Sequence, residues 1–134
     1  NIAMQKNNYK LSKTLEGHYN SVLSATYSPD GKYIASGSKD RTIKIWNAKS
    51  GECIKTLKGH TWDVLCVAWS PIGEIIASCS AYETIKIWNA KTGDCLQTLK
   101  DHEDFSIFAS FNPNDEEIIS TSFDQTIRVW KVNE

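Results

Sequence analysis

Apolar and polar positions along the chain fall in short runs with a period near two, punctuated by turn residues too often to leave room for helices. Residues 21–27 read Ser-Val-Leu-Ser-Ala-Thr-Tyr, three of the seven β-branched or aromatic, in partial alternation. Pro29-Asp30-Gly31 then makes a tight turn. Residues 32–38 carry the apolar core Tyr33-Ile34-Ala35, and Lys39-Asp40-Arg41 turns the chain again. Residues 42–47 set Ile43 and Ile45 against Thr42 and Lys44. Ser50-Gly51 turns once more, and residues 52–57 form a fourth run. The pattern predicts four short antiparallel strands.

The same pattern then returns twice. His18, His60 and His102 stand 42 residues apart, as do Pro29, Pro71 and Pro113, and Ser36, Ser78 and Ser120. Trp46, Trp88 and Trp130 keep the same spacing. Thr-Ile-Lys-Ile-Trp-Asn at residues 42–47 recurs at 84–89, and returns as Thr-Ile-Arg-Val-Trp-Lys at 126–131. A fixed period of this size marks stacked units, none of which buries its apolar faces alone. Four strands in roughly 40–45 residues is the size of one propeller blade.

Gly17-His18 and Gly59-His60 each precede a strand that ends in Ser-Pro, with Asp40 and Trp46 following in the first copy. On these residues the chain resembles the WD-repeat (WD40) β-propellers, from about residue 10 to residue 132. The third copy reads Asp101-His102, and the dipeptide that names the family is Trp46-Asn47, Trp88-Asn89 and Trp130-Lys131 here. The resemblance implies an all-β fold of four-stranded antiparallel blades, three blades' worth in this chain. Residues 1–9 read as a leader, with Asn1-Ile2-Ala3 expected to be a cloning scar before Met4. Residues 10–134 hold the blades: an outer strand at 10–15, then repeats at about 17–57, 59–99 and 101–132.

His18, Ser36 and Asp40, and again His102, Ser120 and Asp124, have the composition of a hydrolase triad. The resemblance implies something else. WD-repeat blades use these positions, with Trp46 and Trp130, as a buried chain of hydrogen bonds from indole to hydroxyl to imidazole to carboxylate. An enzyme needs one exposed nucleophile with an oxyanion hole, and has no use for a copy in every blade. The middle repeat has His60, Ser78 and Trp88, but Tyr82 stands in the aspartate position. Histidines on neighbouring blades are spread around a ring and do not converge on one metal.

The bulk composition adds exclusions. The 134 residues carry a formal net charge of -1 and are 40% hydrophobic, ordinary for a globular domain. Near-neutral charge gives no electrostatic footprint for nucleic acid or an anionic membrane. No apolar run approaches the ~20 residues of a membrane span. Cys53, Cys66, Cys79 and Cys95 form no Cys-x-x-Cys pair, so zinc-ligand spacing is absent and no cofactor is expected. Cysteines within apolar strand patterns are expected to be small buried hydrophobes with free thiols, in a reducing, intracellular compartment of cytoplasm or nucleus.

Closed propellers need roughly 4–8 blades. Three blades leave two bare apolar faces, and the strand order favours a self-contained chain whose two copies close a six-bladed homodimeric ring. The expected activity is that of a protein-interaction scaffold, not an enzyme, holding a protein or peptide on its top-face loops. The candidate contacts there are Ser21, Leu23, Lys39, Asp63, Leu65, Ala81, Phe105, Ile107 and Phe123, with Trp62 as a further aromatic anchor. Two alternatives stay open: a propeller-type small-ligand or sugar-binding protein, and a sector of a larger propeller.

Overall fold

The computed structural model describes residues 8–81, 84–100, 104, 106–114 and 116–132. Among these there is no helix, and eleven strands form three antiparallel sheets. The first sheet runs β1 (Val22–Tyr27), β2 (Tyr33–Ser38), β3 (Thr42–Asn47) and β4 (Cys53–Lys58) in simple meander order. The second runs β5 (Val64–Trp69), β6 (Ile75–Ser80), β7 (Thr84–Asn89) and β8 (Cys95–Leu99). The third holds β9 (Ser106–Phe111), β10 (Ile118–Ser122) and β11 (Ile127–Trp130). Each sheet is one blade, and corresponding pairs keep corresponding registers: Ile34 faces Trp46, and Ile76 faces Trp88.

The core lies between the blades. Ala35, Ile43, Ile45 and Leu57 of blade one pack on Val64, Val67, Ile76 and Trp88 of blade two. Cys66, Ala77, Cys79 and Ile85 of blade two pack on Ala109 and Ile118 of blade three. Gly37 makes the first junction close: a Cβ there would lie 2.6 Å from Val64 Cγ1. The side chains that fill these junctions are exposed on blade three, whose face no described residue covers. Ile43 and Ile85 are 0% and 1% exposed, whereas Ile127, at the same place in blade three, is 72% exposed. Phe108, Ile119 and Val129 are exposed beside it.

Three expectations need correction or limits. Residues 10–15, expected as a strand, carry none, because an extended segment joins a sheet only through a hydrogen-bonded neighbour and this one has no ladder partner among the described residues. Its position is nevertheless informative. A Cβ on Gly51 would meet Lys13 Cδ at 3.1 Å, and a Cβ on Gly93 would meet Lys55 Cδ at 3.0 Å. Lys55 belongs to β4, so residue 13 lies against blade one as the outer strand of blade one lies against blade two. Cys66 and Cys79 are buried, but Cys53 and Cys95 are exposed, since both begin the outermost strand of a blade. All four thiols are free. Met4, Tyr82, His102 and Phe105 lie outside the described residues.

Candidate functional site

The first blade assembles the complete hydrogen-bond chain. Trp46 Nε1–H donates to Ser36 Oγ at 2.8 Å. The Ser36 hydroxyl donates to His18 Nε2 at 2.7 Å, and His18 Nδ1–H donates to Asp40 Oδ2 at 2.8 Å. The direction follows from the ends, because an indole only donates and a carboxylate only accepts. Asp40 also takes the Tyr19 N–H at 3.0 Å and the Thr42 hydroxyl at 2.6 Å. Burial alone would raise the Asp40 pKa, but the bonds from Thr42, Tyr19 and His18 outweigh it and hold the carboxyl far below its ordinary 3.8. The glycine before the histidine has a packing reason. Gly17 and Gly59 lie under Trp46 and Trp88, where a Cβ would approach the indole to 3.1 and 3.2 Å.

The second blade repeats only part of this. Trp88 Nε1–H donates to Ser78 Oγ at 2.8 Å, and Ser78 bonds His60 Nε2 at 2.6 Å. His60 Nδ1 is buried with no hydrogen-bond partner among the described residues. Burial, with the nearby Lys86 charge, pushes the imidazole pKa down from 6.5 to about 4. In the third blade Trp130 Nε1–H donates to Ser120 Oγ at 2.9 Å, and Asp124 takes the Thr126 N–H at 2.9 Å.

Several contributors escaped the sequence reading. The Ser38 hydroxyl donates to Ser21 O and accepts the Asp40 N–H, and the Ser80 hydroxyl donates to Asp63 O. Asn47 Oδ1 accepts the Lys49 and Ser50 N–H groups, and Asn89 Oδ1 those of Lys91 and Thr92, each at 2.9 Å. Only an acceptor is used there, so asparagine serves as an aspartate would. Spacing held the signal: Ser38 and Ser80, and Asn47 and Asn89, are also 42 apart.

The candidate contacts divide. Ser21, Leu23 and Lys39 are exposed, and Phe123 is 60% exposed. Asp63, Leu65 and Ile107 are half-buried. Ala81 is buried, which removes it from the accessible set. Trp62 is partly exposed, and the Arg41 guanidinium sits over its ring, 5.4 Å from the centroid.

The family described as WD domain, G-beta repeat, matches residues 9–47, 51–89 and 93–131. The chain belongs to the WD40 family. Each matched WD40 repeat starts with an outer strand or its counterpart, so residues 9–16 count with the first repeat. A 40-residue stretch is 60% identical to the vegetative incompatibility protein HET-E-1 of Podospora anserina, covering 30% of this chain and 3% of that protein. A 49-residue stretch is 45% identical to the periodic tryptophan protein 2 homolog of Mus musculus, covering 37% of this chain and 5% of that one. Among solved structures, U3-55K and the WD40 repeats of RRP9 each superpose with a TM-score of 0.87 at 32% identity. Each match covers 90% of this chain and 38% of the solved one. The chain therefore spans well under half the length of the relatives it resembles.

Proposed function

We propose that these WD40 blades are a non-enzymatic scaffold that binds a protein or peptide partner on the face carrying the loops into each first strand and between each second and third strand. The observation that carries this reading is the state of the one triad-like group that is complete among the described residues. Ser36 is 4% exposed, already accepts from Trp46 and already donates to His18, so its hydroxyl is spent on structure. Leu23 near the start of β1 and Lys39, Trp62 and Phe123 in loops are exposed. A photo-crosslinking residue at position 123 is expected to capture the partner, and one at exposed Ile54 on outer strand β4 is not. Equal capture at both positions would refute a top-face site.

The ring requires more blades than three. We propose that two copies supply six, with residues 10–15 of each completing the outer edge of the other's β11. The support is the placement of Lys13 in the outer-strand position and the exposed apolar side chains on blade three. A second reading, a sector of a longer WD40 ring, is favoured by the 38% coverage of the solved relatives. Light scattering separates them. The mass of two chains supports the dimer, and a monodisperse single-chain mass sinks it. An intracellular setting, cytoplasmic or nuclear, is proposed from the exposed free thiols of Cys53 and Cys95.

A further inference from the structure

A cleft of about 560 Å3 opens where blade one meets blade two. Its charged walls are Asp40, Arg41, Lys44 and Lys58, with His60 beside them. Asp40 is already engaged by His18, Thr42 and Tyr19, so its charge is directed into the blade. Lys44 Nζ is anchored on the Thr56 hydroxyl at 2.9 Å, and Lys58 is exposed at the end of β4. Arg41, at a backbone φ of 75°, places its guanidinium over the Trp62 ring and lines the cleft. The positive balance is particular to this junction. At the corresponding positions of the next repeat, Glu83 replaces Arg41 and Asp101 replaces Gly59. Lys86 and Lys100 do recur at the positions of Lys44 and Lys58, so what sets this junction apart is Arg41 and the absence of the two added carboxylates.

His60 supplies the independent observation. It is 7% exposed, it forms part of the cleft wall, and its buried Nδ1 has no partner among the described residues. Since Ser78 occupies Nε2, Nδ1 carries the hydrogen of the neutral ring. In blade one the same atom of His18 meets a carboxylate. Behind the wall of the cleft thus lies a buried donor whose counterpart in blade one, His18 Nδ1, is paired with a carboxylate.

We propose that this cleft docks an acidic segment of the partner protein, its oxyanions received by Arg41, Lys44 and Lys58. The proposal rests on the scaffold reading and names the chemistry of one contact. A peptide is favoured over nucleic acid because three cations in a chain of net charge -1 match one or two oxyanions, not a phosphate backbone. The test is fluorescence anisotropy on the whole chain with four labelled probes: a short Asp/Glu-rich peptide, the same peptide with phosphoserine, a neutral scramble and a short single-stranded RNA. One or both acidic peptides are expected to bind, and to weaken about tenfold in Lys58→Glu and again between about 50 and 300 mM salt. Preference for one of the two identifies carboxylate or phosphoryl as the source. Equal binding of the scramble, or insensitivity to Lys58→Glu and to Lys44→Glu, overturns the proposal. So does RNA binding more tightly with the same sensitivity. Capture of the partner at position 123 that survives Lys58→Glu would leave the scaffold standing and remove only this contact.

Discussion

Blades one and two place a histidine, a serine and a tryptophan at the same spacings and bond lengths, and part company at one acceptor. In blade one the imidazole bridges Ser36 and Asp40, so both ring nitrogens are satisfied. In blade two the chain stops at His60 Nδ1. The sheets around the two rings are alike, and both tryptophans are nearly inaccessible. The fold therefore does not depend on every member of the chain. What the carboxylate changes is the response to protons.

The largest consequence is acid sensitivity from blade two. The unfolded chain takes up a proton on this histidine near pH 6.5, while the folded chain resists until about pH 4. The unfolded state binds more protons in that window, so stability is full above it and is lost as pH falls from 6.5 toward 4. The span sets a ceiling of about 3 kcal/mol. Asp40 acts in a lower window: its depressed pKa gives stability that falls away only as pH drops below the unfolded value of 3.8. Urea midpoints between pH 7 and pH 4 should decline in the native chain and flatten in His60→Gln. A decline that persists in His60→Gln would locate the titration elsewhere.

Next in size is the serine that both sides of the chain share. Ser36→Ala strips the acceptor from Trp46 and the donor from His18 while Asp40 keeps its other bonds. Leaving buried groups unpaired costs about 1–3 kcal/mol, readable as a lower denaturation midpoint. A loss below about 0.5 kcal/mol would mean that water or a rearranged side chain takes over. The third comparison repairs the gap. Tyr82→Asp restores a carboxylate at the repeat position of Asp40, and should raise the His60 pKa above 4 in an NMR titration. A gain of about 1 kcal/mol should accompany it. An unchanged His60 titration would show that the new carboxylate does not reach the ring.

The blades and their hydrogen-bond chain were legible because repetition separates structural positions from incidental ones. A histidine or serine recurring with a tryptophan every 42 residues has a place in the unit before any coordinates exist. Side-chain roles within turns were less legible. Ser38 and Asn47 act through single bonds to backbone N–H or C=O groups, and many polar residues can do that. Exposure was misjudged where composition resembled the core: Cys53 and Cys95 sit in strand patterns, but at outer edges. Ala81 was assigned to the rim by turn position, yet a methyl group is short enough to be covered. The cation over Trp62 was not legible at all, since Arg41 and its ring come from different blades.

The smallest expected effect on stability is at the position with the sharpest functional consequence. Phe123 occupies the turn site held by Lys39 in blade one and by Ala81 in blade two. The two siblings show that the turn forms with a charged or a minimal side chain, so no blade requires an aromatic there. Its ring is 60% exposed, which leaves little apolar surface to lose on truncation. Phe123→Ala should therefore move the denaturation midpoint by no more than about 0.5 kcal/mol. A partner that buries the ring would feel its loss as about 1–2 kcal/mol of binding free energy, a drop of roughly tenfold in affinity. Placing the same ring in blade one, as Lys39→Phe, tests whether the turn or the blade matters. Retained affinity in Phe123→Ala, joined to a large loss of stability, would show that this ring packs the blade and that the partner binds elsewhere.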